Sequence, residues 1–152
     1  MITERSIYKT LENIQGITNF HEREAATSVG DIDYYEFGFD FSDMKYFGTQ
    51  IQSPLFTLNR IILLFAYTLK KETTKSNILD AINQYNLERP LIKLSLRKVR
   101  GKQIQVTFSS DFIADDTLIT ERQIIPLINI LAPSPADFVE FLSHKKISLT
   151  HA

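Results

Sequence analysis

Between Asp33 and Phe41, large aromatic side chains fall at every second position, with Tyr35, Phe37, Phe39 and Phe41 separated by Tyr34, Glu36, Gly38 and Asp40. A period of two sends alternate side chains to opposite faces, so this segment predicts a strand with one aromatic and one mostly polar face. Ser42-Asp43 suits a turn, and Lys45 to Ile51 continues as a second strand until Ser53-Pro54 breaks it. Ahead of this pair, Ile7, Leu11 and Ile14 recur at helical spacing and Gly16 stops them, which predicts an amphipathic helix from about Thr3 to Gln15. From Ile17 to Asp31 the periodicity is lost, and loop or irregular edge structure is expected.

Leu55 to Leu69 satisfies two periods at once. Its apolar run fits a strand buried on both faces, while Leu58, Ile61, Ile62, Phe65 and Leu69 also form a helical stripe. A strand ending near Lys70 is the favoured assignment. Ser76 can cap a helix carrying Ile78, Leu79, Ile82 and Tyr85, closed by Asn86 and Pro90. Two strands follow, Leu91 to Val99 and Gln103 to Phe108, joined through Arg100-Gly101-Lys102, with Ile92, Leu94 and Leu96 opposite Lys93, Ser95 and Arg97. Thr120-Glu121-Arg122-Gln123 has capping-box spacing, although Pro126 should kink the helix or shift its start. Ser134-Pro135-Ala136-Asp137 opens a last short helix. The order α-β-β-β-α-β-β-α predicts an α+β fold, a mainly antiparallel sheet with helices packed on one face, in a single domain over residues 1–152.

Composition removes several classes of function. The chain has no Cys, so disulfides, thiolate nucleophiles and cysteine-based metal sites are excluded. With 17 basic and 18 acidic residues, no global field draws it to nucleic acid or to anionic membrane. The N-terminus becomes charged at once and the longest apolar run, Ile61 to Tyr67, falls well short of the roughly 18 residues of a membrane span. A cytoplasmic, membrane-free protein is the expectation.

Candidate chemistry is sparse. His21, His144 and His151 belong to no H-E-x-x-H pattern, and the five glycines form neither a phosphate-cradling loop nor a nucleophile elbow. No catalytic residue, metal ligand or cofactor is therefore assigned. Two charge clusters remain. Asp31, Asp33, Glu36, Asp40 and Asp43, with Asp115-Asp116 as a second acidic spot, could bind a divalent cation or serve as paired carboxylates. The outward position of Glu36 and Asp40 on their strand also fits a solvated surface. Lys93, Arg97, Lys98, Arg100 and Lys102 gather around one hairpin and could contact phosphate or an acidic protein patch. No aromatic residue interleaves them to stack on bases, which disfavours nucleic acid.

Ile82-Asn83-Gln84-Tyr85-Asn86, then Arg89-Pro90 leading into a strand, Ser110-Asp111 and the Thr120-Glu121 helix start carry a resemblance. The stretch from about Ser76 to Leu131 resembles the YbjN-like family of small bacterial proteins, whose fold is similar to type III secretion chaperones. The resemblance implies regulation or chaperone-like protein binding and no catalytic residues. Pro126 and the Ala132-Pro133-Ser134-Pro135 break depart from the longer final helix of that family. On the residues themselves, Asn86 could close a helix in the left-handed conformation and Pro90 prevents its continuation, a structural role first.

The leading expectation is a non-enzymatic protein-binding module, chaperone-like or regulatory, in a bacterial cytoplasm. Its partner would be an effector, toxin or regulator met through Lys93, Arg97, Lys98, Arg100 and Lys102, and a homodimer is compatible with the pattern. A toxin-neutralising immunity protein belongs to the same binding class. The rival from another class is a cation-dependent enzyme using the Asp33–Asp43 acidic cluster.

Overall fold

The stretch with two competing periods resolves as a strand, because its side chains alternate between buried and less buried from Thr57 to Leu63. The computed structural model describes residues 5–23 and 27–151. Its elements in chain order are helix α1 (Ser6–Asn13), strands β1 (Ile17–Glu22), β2 (Thr27–Val29), β3 (Ile32–Phe41), β4 (Met44–Gln52) and β5 (Thr57–Leu69), then helix α2 (Lys75–Glu88). Strands β6 (Lys93–Arg100) and β7 (Gln103–Ile113) follow, then a 3₁₀ turn (Asp116–Leu118), helices α3 (Glu121–Leu131) and α4 (Ser134–His144), and strand β8 (Leu149–His151). The fold is α+β with an eight-stranded sheet in the order β1-β3-β4-β5-β7-β6, where β2 pairs with β3 and β8 with β5. Every pairing whose register is described is antiparallel.

Of the loop or irregular edge structure expected from Ile17 to Asp31, the second form is found: Ile17–Glu22 and Thr27–Val29 are strands, and β1 is an irregular edge strand of the sheet. Their periodicity was hidden because β1 carries an irregularity between Thr18 and His21, with Asn19 at φ 53°, which breaks the alternation. Helix α2 is capped by Thr74, whose side chain accepts the Asn77 N–H, and Ser76 lies inside the helix. Pro126 sits inside α3, which still begins at Glu121, and the Thr120 N–H donates to the Gln123 side chain at 2.5 Å as a capping box requires.

The chain forms two compact units, each from two segments: residues 1–62 with 111–128, and residues 63–110 with 129–152. In the first, β3 and β4 form a hairpin whose two-residue loop, Ser42-Asp43, has positive φ at both positions (49° and 62°). That is the mirror-image turn whose twist matches the strands. Phe37 and Phe39 are buried as the alternation predicts, and Phe39 stacks on Tyr46 at 5.2 Å between ring centroids. Helix α1 lays Ile7, Tyr8 and Leu11 into this core, with Tyr8 edge-on to Phe37. Gly48 is required opposite Phe37, since a Cβ there would stand 2.0 Å from the ring.

The second unit packs the lower part of β5 and most of β7 with α2 and α4. Tyr67, Tyr85, Phe108 and Phe138 are fully buried, and Phe138 meets the other three rings within 6 Å. The Tyr67 hydroxyl donates to the Pro135 carbonyl at 2.7 Å. Residues 121–144 make the one helical stretch, among the described residues, long and apolar enough by composition to cross a membrane. Within their own units Ile124, Ile128, Leu131, Phe138 and Leu142 of this stretch are core residues.

Candidate protein-binding face

Of the two charge clusters, the basic one is gathered by a local feature of the backbone. β6 pairs with β7 as Leu94↔Phe108 and Leu96↔Val106, then slips by one residue so that Lys98 faces Gln105 and Val99 faces Ile104. Arg97 is the extra residue of this bulge. Strict alternation would put Lys93 on one face and Lys98 and Arg100 on the other. The slip instead aligns Leu94, Leu96 and Val99 with the buried Phe108, Val106 and Ile104, and places Lys93, Ser95, Lys98 and Arg100 together on the opposite face. The two-residue loop between Arg100 and Gln103 holds Gly101 at φ 60°, a geometry that favours glycine.

Lys93, Arg97, Lys98, Arg100 and Lys102 are all exposed, and none makes an ion pair among the described residues. Lys98 and Arg100 border a shallow depression of about 150 Å³ with Gln103, Gln105 and Ala66. Charge is also segregated between the units, which net charge alone conceals. The segments of the second unit carry eleven Lys and Arg against five Asp and Glu, and those of the first carry six against thirteen.

The acidic cluster is dispersed. Asp33 accepts from the Ser28 hydroxyl at 2.6 Å, Asp40 from the Asn19 amide at 2.7 Å, and Asp31, Glu36 and Asp43 are exposed. No group of three or more His, Asp or Glu side chains stands close enough to hold a metal ion among the described residues. Asp40 and Asp43 do border an open cleft of about 500 Å³ with Thr18 and Lys45. Asp115 caps the 3₁₀ turn through the Thr117 N–H, and Asp116 accepts from the Ser6 N–H and the Gln50 amide, both at 3.0 Å. His21 lies over Gly38 with Nδ1 at 2.9 Å from the Asn19 carbonyl, and His144 is exposed at the end of α4.

Asn86, Arg89 and Ser110 make polar contacts within the second unit. Asn86 does not close α2 in a left-handed conformation. It lies within the helix, its amide donates to the Leu94 carbonyl at 3.0 Å, and its side-chain oxygen accepts the Leu94 N–H at 2.8 Å. Arg89 makes a two-pronged ion pair with Asp137, which also accepts from the Tyr85 hydroxyl at 3.0 Å. The hydrogen bond from Arg89 holds the Asp137 carboxyl below its ordinary value, and the same bond raises Arg89 further. Burial pushes the Tyr85 and Tyr67 phenols upward. Ser110 donates to the Leu91 carbonyl at 2.8 Å.

Two polar networks were not foreseen from the sequence. One is the Tyr85–Arg89–Asp137 cluster. The other, in the first unit, centres on the fully buried Gln50 and Asn59: Gln50 donates to Asn59 at 2.7 Å and accepts from Arg5, while Asn59 donates to the Phe112 and Ala114 carbonyls. Gln50 stands at a buried position of an alternating strand, and that misplacement of a polar residue was the available signal.

No protein-family model, curated protein or solved structure matches this chain.

Proposed function

We propose that the chain is a non-enzymatic protein-binding module, chaperone-like or regulatory, whose second unit meets an acidic protein partner through the β6–β7 hairpin. The observation that carries this reading is the alignment by the bulge of exposed, unpaired cations on one face of a unit rich in positive charge. Desolvating an unpaired cation against a carboxylate costs less than breaking an existing ion pair to do so, and a one-signed patch accelerates encounter. The resemblance to YbjN-like proteins points the same way and suggests a bacterial cytoplasmic setting. An immunity protein that covers an acidic toxin would use the same surface in the same manner.

The test is association kinetics. The partner captured from the native host with the wild-type chain is purified, and its association rate is measured against the wild type and the Arg97→Glu, Arg100→Glu, Lys102→Glu triple variant. The variant should fold normally and associate about tenfold or more slowly at low salt, with the difference shrinking as salt rises. Rates insensitive to both the substitutions and salt would remove the hairpin from the binding surface. Tight, salt-dependent binding of DNA or RNA by the wild type would replace the protein partner with a nucleic acid.

A further inference from the structure

Among the described residues, half of the exposed large apolar side chains lie at or near one end of the first unit's sheet. Val29 opposes Ile32, Asp33 opposes Gln52, the Ser53–Phe56 turn joins β4 to β5, and the Ala114 N–H donates to the Thr57 carbonyl. These links put the β2–β3 turn, the β4–β5 turn and the end of β7 side by side, with strands about 4.8 Å apart. Leu55 is 91% exposed, Phe56 47% and Ile113 68%, with Val29 and Leu118 equally open at the margins. Soluble surfaces tolerate single apolar residues, but a contiguous group marks an interaction site.

The turn that presents Leu55 and Phe56 is held in place. The Ser53 hydroxyl donates to the Phe56 carbonyl at 2.9 Å and accepts the N–H groups of Leu55 and Phe56, and the Ser53 N–H also donates to that carbonyl. Pro54 restricts the backbone further. Holding the anchor residues before contact lowers the entropy cost of using them.

Charge selects the occupant. Exposed Asp31 and Asp115 and half-buried Asp33 flank the apolar group. Neighbouring cations are already engaged: Arg60 forms a two-pronged pair with Asp111, and Arg5 donates to Gln50 and Gln52 and lies over the Tyr35 ring. We infer that this end of the first unit is a second docking surface, taking a basic amphipathic segment of a protein partner. The apolar side of that segment would cover Leu55, Phe56 and Ile113, and its Lys or Arg residues would face the carboxylates. An anionic membrane is repelled by the same charges.

This surface is independent of the basic hairpin, so the two readings fail separately. The probe is a fluorescent 18-residue leucine–lysine amphipathic peptide, titrated by anisotropy, with a leucine–glutamate peptide of identical pattern and a serine–lysine peptide as controls. The leucine–lysine peptide should bind the full chain, and the Leu55→Ser, Phe56→Ser double variant should weaken it about tenfold or more. Both controls should bind at least as weakly as that variant, and the hairpin triple variant should bind like the wild type. Equal affinity for the double variant, or for either control peptide, overturns the proposal. So does light scattering that shows a dimer abolished by the double variant, because the patch would then be covered by a second copy.

Discussion

Phe37 shows how far a single residue's role can be read from its neighbours in sequence. The alternation from Asp33 to Phe41 places it on the buried face, and it is buried. What the alternation does not reveal is that its ring occupies the space above Gly48 on β4, because the register of Phe37 against Gly48 is a pairing between strands. Tyr46, on the same hairpin, is 1% exposed and its hydroxyl has no hydrogen-bond partner. Burial pushes that phenol up to about 12, against an ordinary value near 10. The folded state therefore keeps a proton that the unfolded chain releases between pH 10 and pH 12. Stability from this group is complete below pH 10 and declines as pH rises through that window. Tyr46→Phe removes an unsatisfied buried hydroxyl while keeping the ring, so it should stabilise the protein by about 1 kcal/mol near neutrality. Its stability should also fall less steeply than the wild type's above pH 10. Denaturant titrations at pH 8 and pH 11 measure both effects, and a destabilised variant at pH 8 would mean that the hydroxyl is satisfied after all.

Among the elements, those with a clean period were legible and those whose edges depend on partners were not. The strand centred on Phe37, the helix carrying Ile78, Ile82 and Tyr85, and the capping box at Thr120 all have local causes. β1 reads from its own pattern only as loop or irregular edge, because its partner β3 makes it a strand. Ser76 is the cap the sequence suggests, and the bond from the Asn77 N–H assigns that role to Thr74 instead. Asn86 is the most informative case. Its side-chain amide matches a peptide group in its donor and acceptor, and it occupies the free side of β6 at Leu94 as another strand would. Asn86→Ala leaves both Leu94 groups without that partner and should cost about 1–3 kcal/mol. Asn83→Ala, an exposed change on the same helix, should stay within about 0.5 kcal/mol. Hydrogen exchange at the Leu94 amide should accelerate in the first variant alone, and unchanged protection would assign that amide another partner.

At the scale of the whole molecule, near-neutral net charge conceals two oppositely charged units. The concealment has a simple cause: residues 63–110 carry nine Lys and Arg against three Asp and Glu, residues 1–62 carry five against nine, and only the whole-chain sum cancels them. The basic hairpin was visible because its five cations lie within ten residues. The apolar and acidic end of the first unit was not, since Leu55, Phe56 and Ile113 come to one end of the sheet only after β5 and β7 pair. The dispersed carboxylates bear on the rival reading, a cation-dependent enzyme. A protein whose stability needs no bound metal should keep its thermal midpoint when treated with EDTA. A large drop restored by one divalent cation would favour that enzyme over the binding module.

The unpaired Arg97 also bears on how this strand tolerates change in length. Removing it would leave Leu96 followed directly by Lys98, and regular alternation would then deliver the same inward set, Leu94, Leu96 and Val99, and the same outward set, Lys93, Ser95, Lys98 and Arg100. A single-residue deletion elsewhere between Lys93 and Leu96 would scramble both. β6 thus has one position where evolution can drop a codon without turning the basic face inside out, and naturally occurring shorter versions of the hairpin should lack that residue first.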